Sequence, residues 1–312
     1  MPAPRRRLTR RRTAPGFEGP APRVDRTPAA AAVAVPVADL RGLPDHRAEL
    51  VSQGLFGETY RVLARSSDGR WLRVRGVEDG YAGWMRTWSL ARGSLSAAAD
   101  WRARASWRVD VPWLEGGGGM GALPFGARVA RAGGSFAGPL GPLGACGGAG
   151  VTRAKDRPGA GGASETRLGR RIVSTARRFL GVPYHWGGRT FAGVDCSGLV
   201  QLAAQAHGVR FPRDAGEQCL ACGGVARLAS LARALGGPGR GAIRAGDLWF
   251  FGPSRREVTH VAISVGGLDL IHAYGRVALG SLDPLSDVFE PELFRFVLGW
   301  RGRPRRSLIE IQ

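Results

Sequence analysis

Between residues 29 and 95, apolar and polar positions alternate over short runs: AVAVPVADL, ETYRVLARS, RWLRVRGV and YAGWMRTWSL. A period of two is the signature of a half-buried strand. SSDGRW joins two of these runs as a hairpin turn, because Asp-Gly tolerates the positive φ of a tight turn. Short strands at such close spacing predict a small all-β barrel over 29–95. The pattern then echoes itself: LFGETYRV (55–62) and LPFGARV (123–129) each place an aromatic-Gly step before a strand with Arg-Val. Residues 96–150 are therefore read as a second, degraded copy of the barrel. Its runs GGGG and GPLGPLGACGGAG are poor strand formers. TRAKDRPGAGGASE has linker composition, which places a linker at 151–166.

The period changes near Thr166. Ile172, Val173, Ala176, Phe179 and Leu180 fall at helical spacing, and Gly181 and Pro183 stop that helix. Residues 196–207 form a second amphipathic helix, with Leu199, Val200, Leu202, Ala203 and Ala206 apolar and Gly208 at its end. From residue 247 strands return: DLWFF, VTHVAISV, DLIHAY and RFVLGW. Helices first and an antiparallel sheet after predict an α+β domain over 167–302.

Composition changes this picture little. The chain has 312 residues, 44% of them apolar, enough for several cores. The net charge is +20, yet Lys155 is the only lysine among 45 basic residues. Such uniform arginine bias reads as a compositional habit, whereas a nucleic-acid footprint is clustered and comes with a reading motif. The one dense run, RRRLTRRR (5–12), sits in a Pro/Arg-rich segment, so 1–28 is expected to be a disordered basic tail; a nucleic-acid or membrane-surface arm is the alternative. No apolar stretch follows the arginines as an export signal requires, and none is long enough to span a membrane, so the expected location is the cytoplasm. Residues 303–312 read as a C-terminal tail. Four cysteines (Cys146, Cys196, Cys219, Cys222) make no disulfide framework. The CxxC at 219–222 lacks the preceding strand of a redox motif and the two further ligands of a zinc site, so these are read as incidental thiols. No metal or cofactor is implied.

Cys196 lies where the second helix begins. Unpaired N–H groups and the positive helix end favour a thiolate there, and the same N–H groups suit an oxyanion. Gly187, Gly188 and Gly193 allow tight turns that leave the thiol open. A small buried core residue is the competing reading. His260 and His272 flank Gly266-Gly267, read as a hairpin turn. Pairing symmetric about Gly266 would set the two histidines opposite each other on one face, one as base and one as its orienter. His46, His185 and His207 show no such pattern; His46 is read as surface and His207 as a helix C-terminal residue.

The ordered motifs VPYHWGG, VDCSGLVQ, PRDAGEQ, GDLWFF, THVAISVG and LIHAYG resemble the NlpC-type cysteine peptidases, whose catalytic core is papain-like. The resemblance covers about 167–302. It implies Cys196 as nucleophile, His260 as general base, His272 as the orienting residue and Tyr184 beside the thiol. Asp195, Ser197, Arg213 and Asp214 would line the cleft. The barrels fit a subgroup with bacterial SH3-like domains ahead of the peptidase, the γ-D-glutamyl-L-diamino-acid endopeptidases (dipeptidyl-peptidase VI type). In that subgroup a carboxylate and a tyrosine of the first barrel hold the ammonium of an N-terminal L-alanine, which points to Glu58 and Tyr81. Ala215 departs from the serine the family has after Arg-Asp, and the Gly-rich second barrel is another departure. The implied partner is a murein peptide, not a membrane or a nucleic acid, and the implied role is murein recycling. An exported hydrolase of intact wall, a non-catalytic wall-binding protein and a nucleic-acid binder acting through the tail are the alternatives.

Overall fold

The computed structural model describes residues 29–116, 121–143, 149–153, 162–224 and 243–302. The two expected tails and Cys146 lie outside the described residues.

The first β unit is one antiparallel sheet of β1 (Ala29–Val33), β2 (Val37–Arg41), β3 (Leu50–Leu55), β4 (Thr59–Arg65), β5 (Trp71–Gly76), β6 (Ala82–Arg86) and β7 (Leu90–Ser94), in the order β3-β2-β6-β5-β4-β1-β7. Val33, Leu40, Val62, Leu72, Val74 and Met85, from five of its strands, meet in one cluster, so the sheet folds over a single core. Arg61, Arg73 and Arg75 take the alternate, outward positions. A helix not read from the sequence follows, α1 (Leu95–Arg104). Ser94 caps it by accepting from Ala97 N–H, alanines favour it, and its buried Trp101 donates Nε1–H to Gly57 O at 2.8 Å.

The second β unit holds β8 (Trp107–Val109), β9 (Trp113–Glu115), β10 (Ala122–Pro124), β11 (Arg128–Ala132), β12 (Ser135–Gly138), β13 (Gly141–Pro142) and β14 (Val151–Arg153). Five form the sheet β13-β12-β11-β8-β14, and β9 pairs with β10. Val109, Leu123, Val129, Phe136 and Leu143 close over Phe56 of the first unit. The internal echo is structural. Phe56 N–H bonds Pro36 O and Gly57 N–H bonds Val33 O, just as Phe125 N–H bonds Pro112 O and Gly126 N–H bonds Val109 O. Both glycines have positive φ, 78° and 86°. The two turns also press together, since a Cβ on Gly57 would lie 2.3 Å from Arg128 O. The expected linker is shorter than read: Val151–Arg153 pairs with β8, and a helix already begins at Gly162.

The third unit runs α2 (Gly162–Arg177), β15 (Arg189–Thr190), β16 (Gly193–Val194), α3 (Cys196–Gln205), α4 (Ala215–Ala221), β17 (Leu248–Phe251), β18 (His260–Gly266), β19 (Asp269–Tyr274), β20 (Arg276–Ser281), α5 (Pro291–Phe296) and β21 (Val297–Arg301). Its sheet is antiparallel, in the order β20-β19-β18-β17-β21. One face packs Phe250, Val261, Ile263 and Ile271 against Leu199, Val200 and Ala203 of α3, which is buried along its whole length. The other face packs Trp249, Phe251 and Leu270 under Leu293 of α5. Each such side chain contributes about 1.5–3 kcal/mol by leaving water. The β18–β19 hairpin differs from its expected register. Its turn is Gly267-Leu268, between the paired Gly266 and Asp269, with Ile263 opposite Ile271. Continuing that register sets His272 opposite Ala262 and His260 opposite Tyr274, two residues from the symmetric pairing about Gly266. The reversal opens at Gly267, φ 60°, and an irregularity between Ser264 and Gly266 makes the total displacement even. An even displacement preserves the face, so both histidines still point the same way. No helix among the described residues is long and apolar enough to cross a membrane.

Candidate active site

α3 starts at Cys196 because the extended Asp195 caps it, its Oδ1 accepting Gly198 N–H at 2.7 Å. Asp195 Oδ2 accepts Gly187 N–H at 2.9 Å and so ties down the VPYHWGG loop. Glycine is required at 198, where a Cβ would lie 2.5 Å from Gly188 O. Arg213, 1% exposed, donates to both Asp195 oxygens, to Ser197 Oγ at 2.8 Å and to Ser52 Oγ of β3 at 2.9 Å. Asp195, Ser197 and Arg213 are therefore bound to one another. Each Asp195 oxygen accepts at least two donors, which ties the head of α3 to the loop before it and to Arg213.

The thiol is not open as expected, for Cys196 is 7% exposed. It lies against the Val261 N–H of β18. Nor is it a resting thiolate. Burial first, then the Asp195 charge, push it up to about 11, outweighing the Val261 and Ser197 N–H groups and Arg213. His260 Nε2 lies 3.2 Å from His272 Nδ1, with the rings edge to face. Burial, then the neighbouring His272, pull His260 down to about 3, so it is a neutral imidazole able to take a proton. His272, 2% exposed, puts Nε2 3.5 Å from Glu290 Oε1; burial lowers its pKa and Glu290 opposes that. Cys196 at the head of α3 thus lies against β18, whose His260 meets His272 of β19. Tyr184 is half-buried, and burial followed by Cys196 and Asp195 raises its phenol, which stays protonated as a donor beside the sulfur.

Glu58 and Tyr81 have different hydrogen-bond partners. Glu58 is buried and accepts two guanidinium bonds from Arg189, at 2.9 and 3.0 Å, and Leu55 N–H at 3.0 Å. Desolvation alone would raise its carboxyl, but Arg189 and Leu55 N–H more than offset it and the pKa falls. Its charge is paired internally with Arg189. Tyr81 is half-buried, and its hydroxyl donates to Asp214. Burial, with Asp195 and Asp79 nearby, raises Asp214, and Glu217 beside it is raised by burial and by Asp214. Ala215 is buried at the head of α4. Cys219 and Cys222 are free thiols that burial pushes up. His207 Nε2 joins α3 to α2 through Arg171 O at 3.0 Å, and His46 packs on Trp71.

Three groups carried no signal in the sequence: Glu290, Ser52 and Glu49. Glu49 accepts from Trp186 Nε1–H at 2.8 Å. Each reaches the site through a long-range contact that no local pattern encodes. Among the described residues no group of His, Cys, Asp and Glu is arranged to hold a metal ion.

The NlpC/P60 family model matches residues 181–296, and that of the bacterial dipeptidyl-peptidase SH3 domain matches 40–90. The chain is 29% identical over 250 residues to the gamma-D-glutamyl-L-lysine dipeptidyl-peptidase of Bacillus subtilis, covering 71% of each. It is 34% identical over 104 residues to the protein of that name in Bacillus cereus, covering 33% of this chain and 27% of that one. Its fold is similar to the crystal structure of an NlpC/P60 family protein from Bacillus cereus, with a TM-score of 0.64 at 21% identity, covering 89% of this chain and 99% of the other.

Proposed function

As a cysteine peptidase of the NlpC/P60 family that carries a bacterial dipeptidyl-peptidase SH3 domain, the chain hydrolyses, we propose, the γ-D-glutamyl–diamino acid bond of murein peptides that begin with a free L-alanine. One observation carries this reading. The first β unit is built onto the loops flanking the nucleophile: Ser52 bonds Arg213, Gln53 bonds Arg189, Glu49 bonds Trp186 and Tyr81 bonds Asp214. A peptide lying across Cys196 would end against that unit, which favours a short, free N-terminus. Asp214 and Glu217, with Asp79 and Tyr81 beside them, make that end negative, as an ammonium requires.

Cys196 Sγ attacks the γ-carbonyl of D-glutamate while His260 takes the thiol proton. Because the free thiol and imidazole are both neutral at rest, attack and proton transfer are coupled instead of starting from a preformed ion pair. The N–H groups at the head of α3 and the Tyr184 hydroxyl face the developing oxyanion. His260 then gives its proton to the departing amine, and water cleaves the thioester to restore the thiol. Ala215 offers no hydroxyl to the D-glutamate carboxylate. The named relatives' substrate, γ-D-glutamyl-L-lysine, supports the bond class. The role assigned is recycling of murein peptides in the cytoplasm.

The test is mass spectrometry of products from L-Ala-γ-D-Glu-diaminopimelate and its L-lysine counterpart. Release of the diamino acid by wild type and not by Cys196→Ala is expected; equal release by both defeats the reading. N-acetylating the alanine is expected to abolish turnover, and an unchanged rate removes the free-amine requirement. Recovery of the native protein in the wall fraction would overturn the location.

A further inference from the structure

Glu290 follows β20, 18 residues beyond His272, and stands at the head of α5. Its backbone is held on both sides: Glu290 N–H bonds Ser281 O at 2.9 Å, and Phe294 N–H bonds Glu290 O at 2.9 Å. Its side chain crosses Gly280, where a Cβ would lie 2.8 Å from Glu290 Cγ, and its Oε1 ends 3.5 Å from His272 Nε2. The contact between His260 and His272 thus continues past the two histidines to a carboxylate.

A neutral imidazole carries one N–H, and the chain of contacts decides which nitrogen has it. An ionised carboxylate only accepts, so His272 must present Nε2–H to Glu290. His272 Nδ1 is then a lone pair, and the Nε2 of His260, 3.2 Å away, must donate to it. That leaves Nδ1 of His260 as the bare nitrogen for the thiol. With the opposite tautomer at His272, Nδ1–H would point at His260 and His260 Nδ1 would be capped by its own proton. We propose that Glu290 is a positioning residue for the catalytic set, fixing both histidine tautomers so that His260 Nδ1 is the base. This rests on Cys196 and His260 being nucleophile and base. The titratable groups around His272 are His260 from β18, Tyr274 from its own strand and Glu290; α3 brings Cys196 against β18. Bonds of this kind are often long in an unliganded site and shorten as charge develops.

Two variants separate the contributions. Glu290→Leu removes the acceptor; Glu290→Gln keeps an acceptor oxygen and removes the charge. Partners that fix an imidazole are typically worth about 10–100-fold, and that loss is expected in kcat for Glu290→Leu with KM unchanged, because Glu290 does not touch substrate. Glu290→Gln is expected to keep most of kcat but to move the acid limb of kcat/KM to lower pH, since the carboxylate no longer favours the charged imidazole. Gly280→Ala, which displaces the Glu290 side chain, is expected to behave like Glu290→Leu. Nitrogen-15 NMR of labelled histidines needs no substrate and stands apart from the assignment of the scissile bond. It is expected to show Nε2–H on both rings in wild type and in Glu290→Gln, and mixed tautomers in Glu290→Leu. Wild-type tautomers with wild-type kcat in Glu290→Leu would overturn the proposal. So would equal losses in the Leu and Gln variants, or a change confined to KM.

Discussion

Replacing Glu58 by glutamine separates two roles for this carboxylate, structural pairing and ammonium binding. Its side chain is 7% exposed and that of Arg189 5%, and the two share bonds of 2.9 and 3.0 Å across the junction between the first β unit and the peptidase unit. Arg189 is held further by its Nη1 on Gln53 O at 2.7 Å. Glu58→Gln leaves that guanidinium buried without its counter-charge, and breaking a buried pair in this way costs about 3–5 kcal/mol. At roughly 2–4 °C per kcal/mol for units of this size, melting should fall by roughly 6–20 °C. The assay is calorimetric melting beside steady-state kinetics on peptides with free and acetylated N-termini. Replacing both partners, Glu58→Leu with Arg189→Met, should recover much of the loss because no charge is left unpaired. The pH dependence has a definite sign. The folded carboxyl lies below its unfolded value, so its contribution is complete above the unfolded pKa and is lost as pH falls through the folded one. The variant should lack that part of the acid sensitivity. An unchanged melting temperature with a raised KM for the free-amine peptide alone would refute the reasoning and make Glu58 a substrate ligand.

The remaining predictions concern Cys196, His260 and the loop before α3. Alkylation of Cys196 by iodoacetamide should be slow near neutral pH and climb toward pH about 11, where the buried thiol ionises; a rate already at its plateau below pH 7 would establish a resting thiolate. His260 sits near 3 in the fold, below its unfolded value of about 6.5. The unfolded chain therefore binds a proton first, and stability should decline as pH drops through that window. His260→Gln should decline less, as urea midpoints at several pH values would show; parallel curves would contradict this. Gly198→Ala drives a methyl to 2.5 Å from Gly188 O, so about 1–3 kcal/mol of stability should go, along with much of kcat/KM. A stable, fully active alanine variant would mean that the loop adapts.

Much of the site was legible because its determinants are local. The helical period marks where α3 starts, and hence where Cys196 sits. The even spacing of His260 and His272 places both on one face for any hairpin register shifted by an even number. The doubled Phe-Gly turn was visible as a repeat of residues and returned as a repeat of hydrogen bonds. α1, β14, β20 and α5 were missed because each is held by a neighbour distant from any local pattern: α1 by Trp101 on Gly57, β14 by β8, β20 by β19, α5 by the back of the sheet.

The sequence by itself determined the helix start that carries Cys196 and the even spacing of His260 and His272, since these follow from periodicity and from chemistry within a few bonds. Tertiary structure alone decided the ionisation of the site and its outer partners. Cys196 stays a thiol because burial outweighs the helix end, and Asp195 and Arg213 neutralise each other. Glu58 is bound to Arg189, 131 residues away, and Glu290 is brought to His272 by the return of β20. Desolvation and pairing depend on what surrounds a group in space, and no short window of sequence contains that.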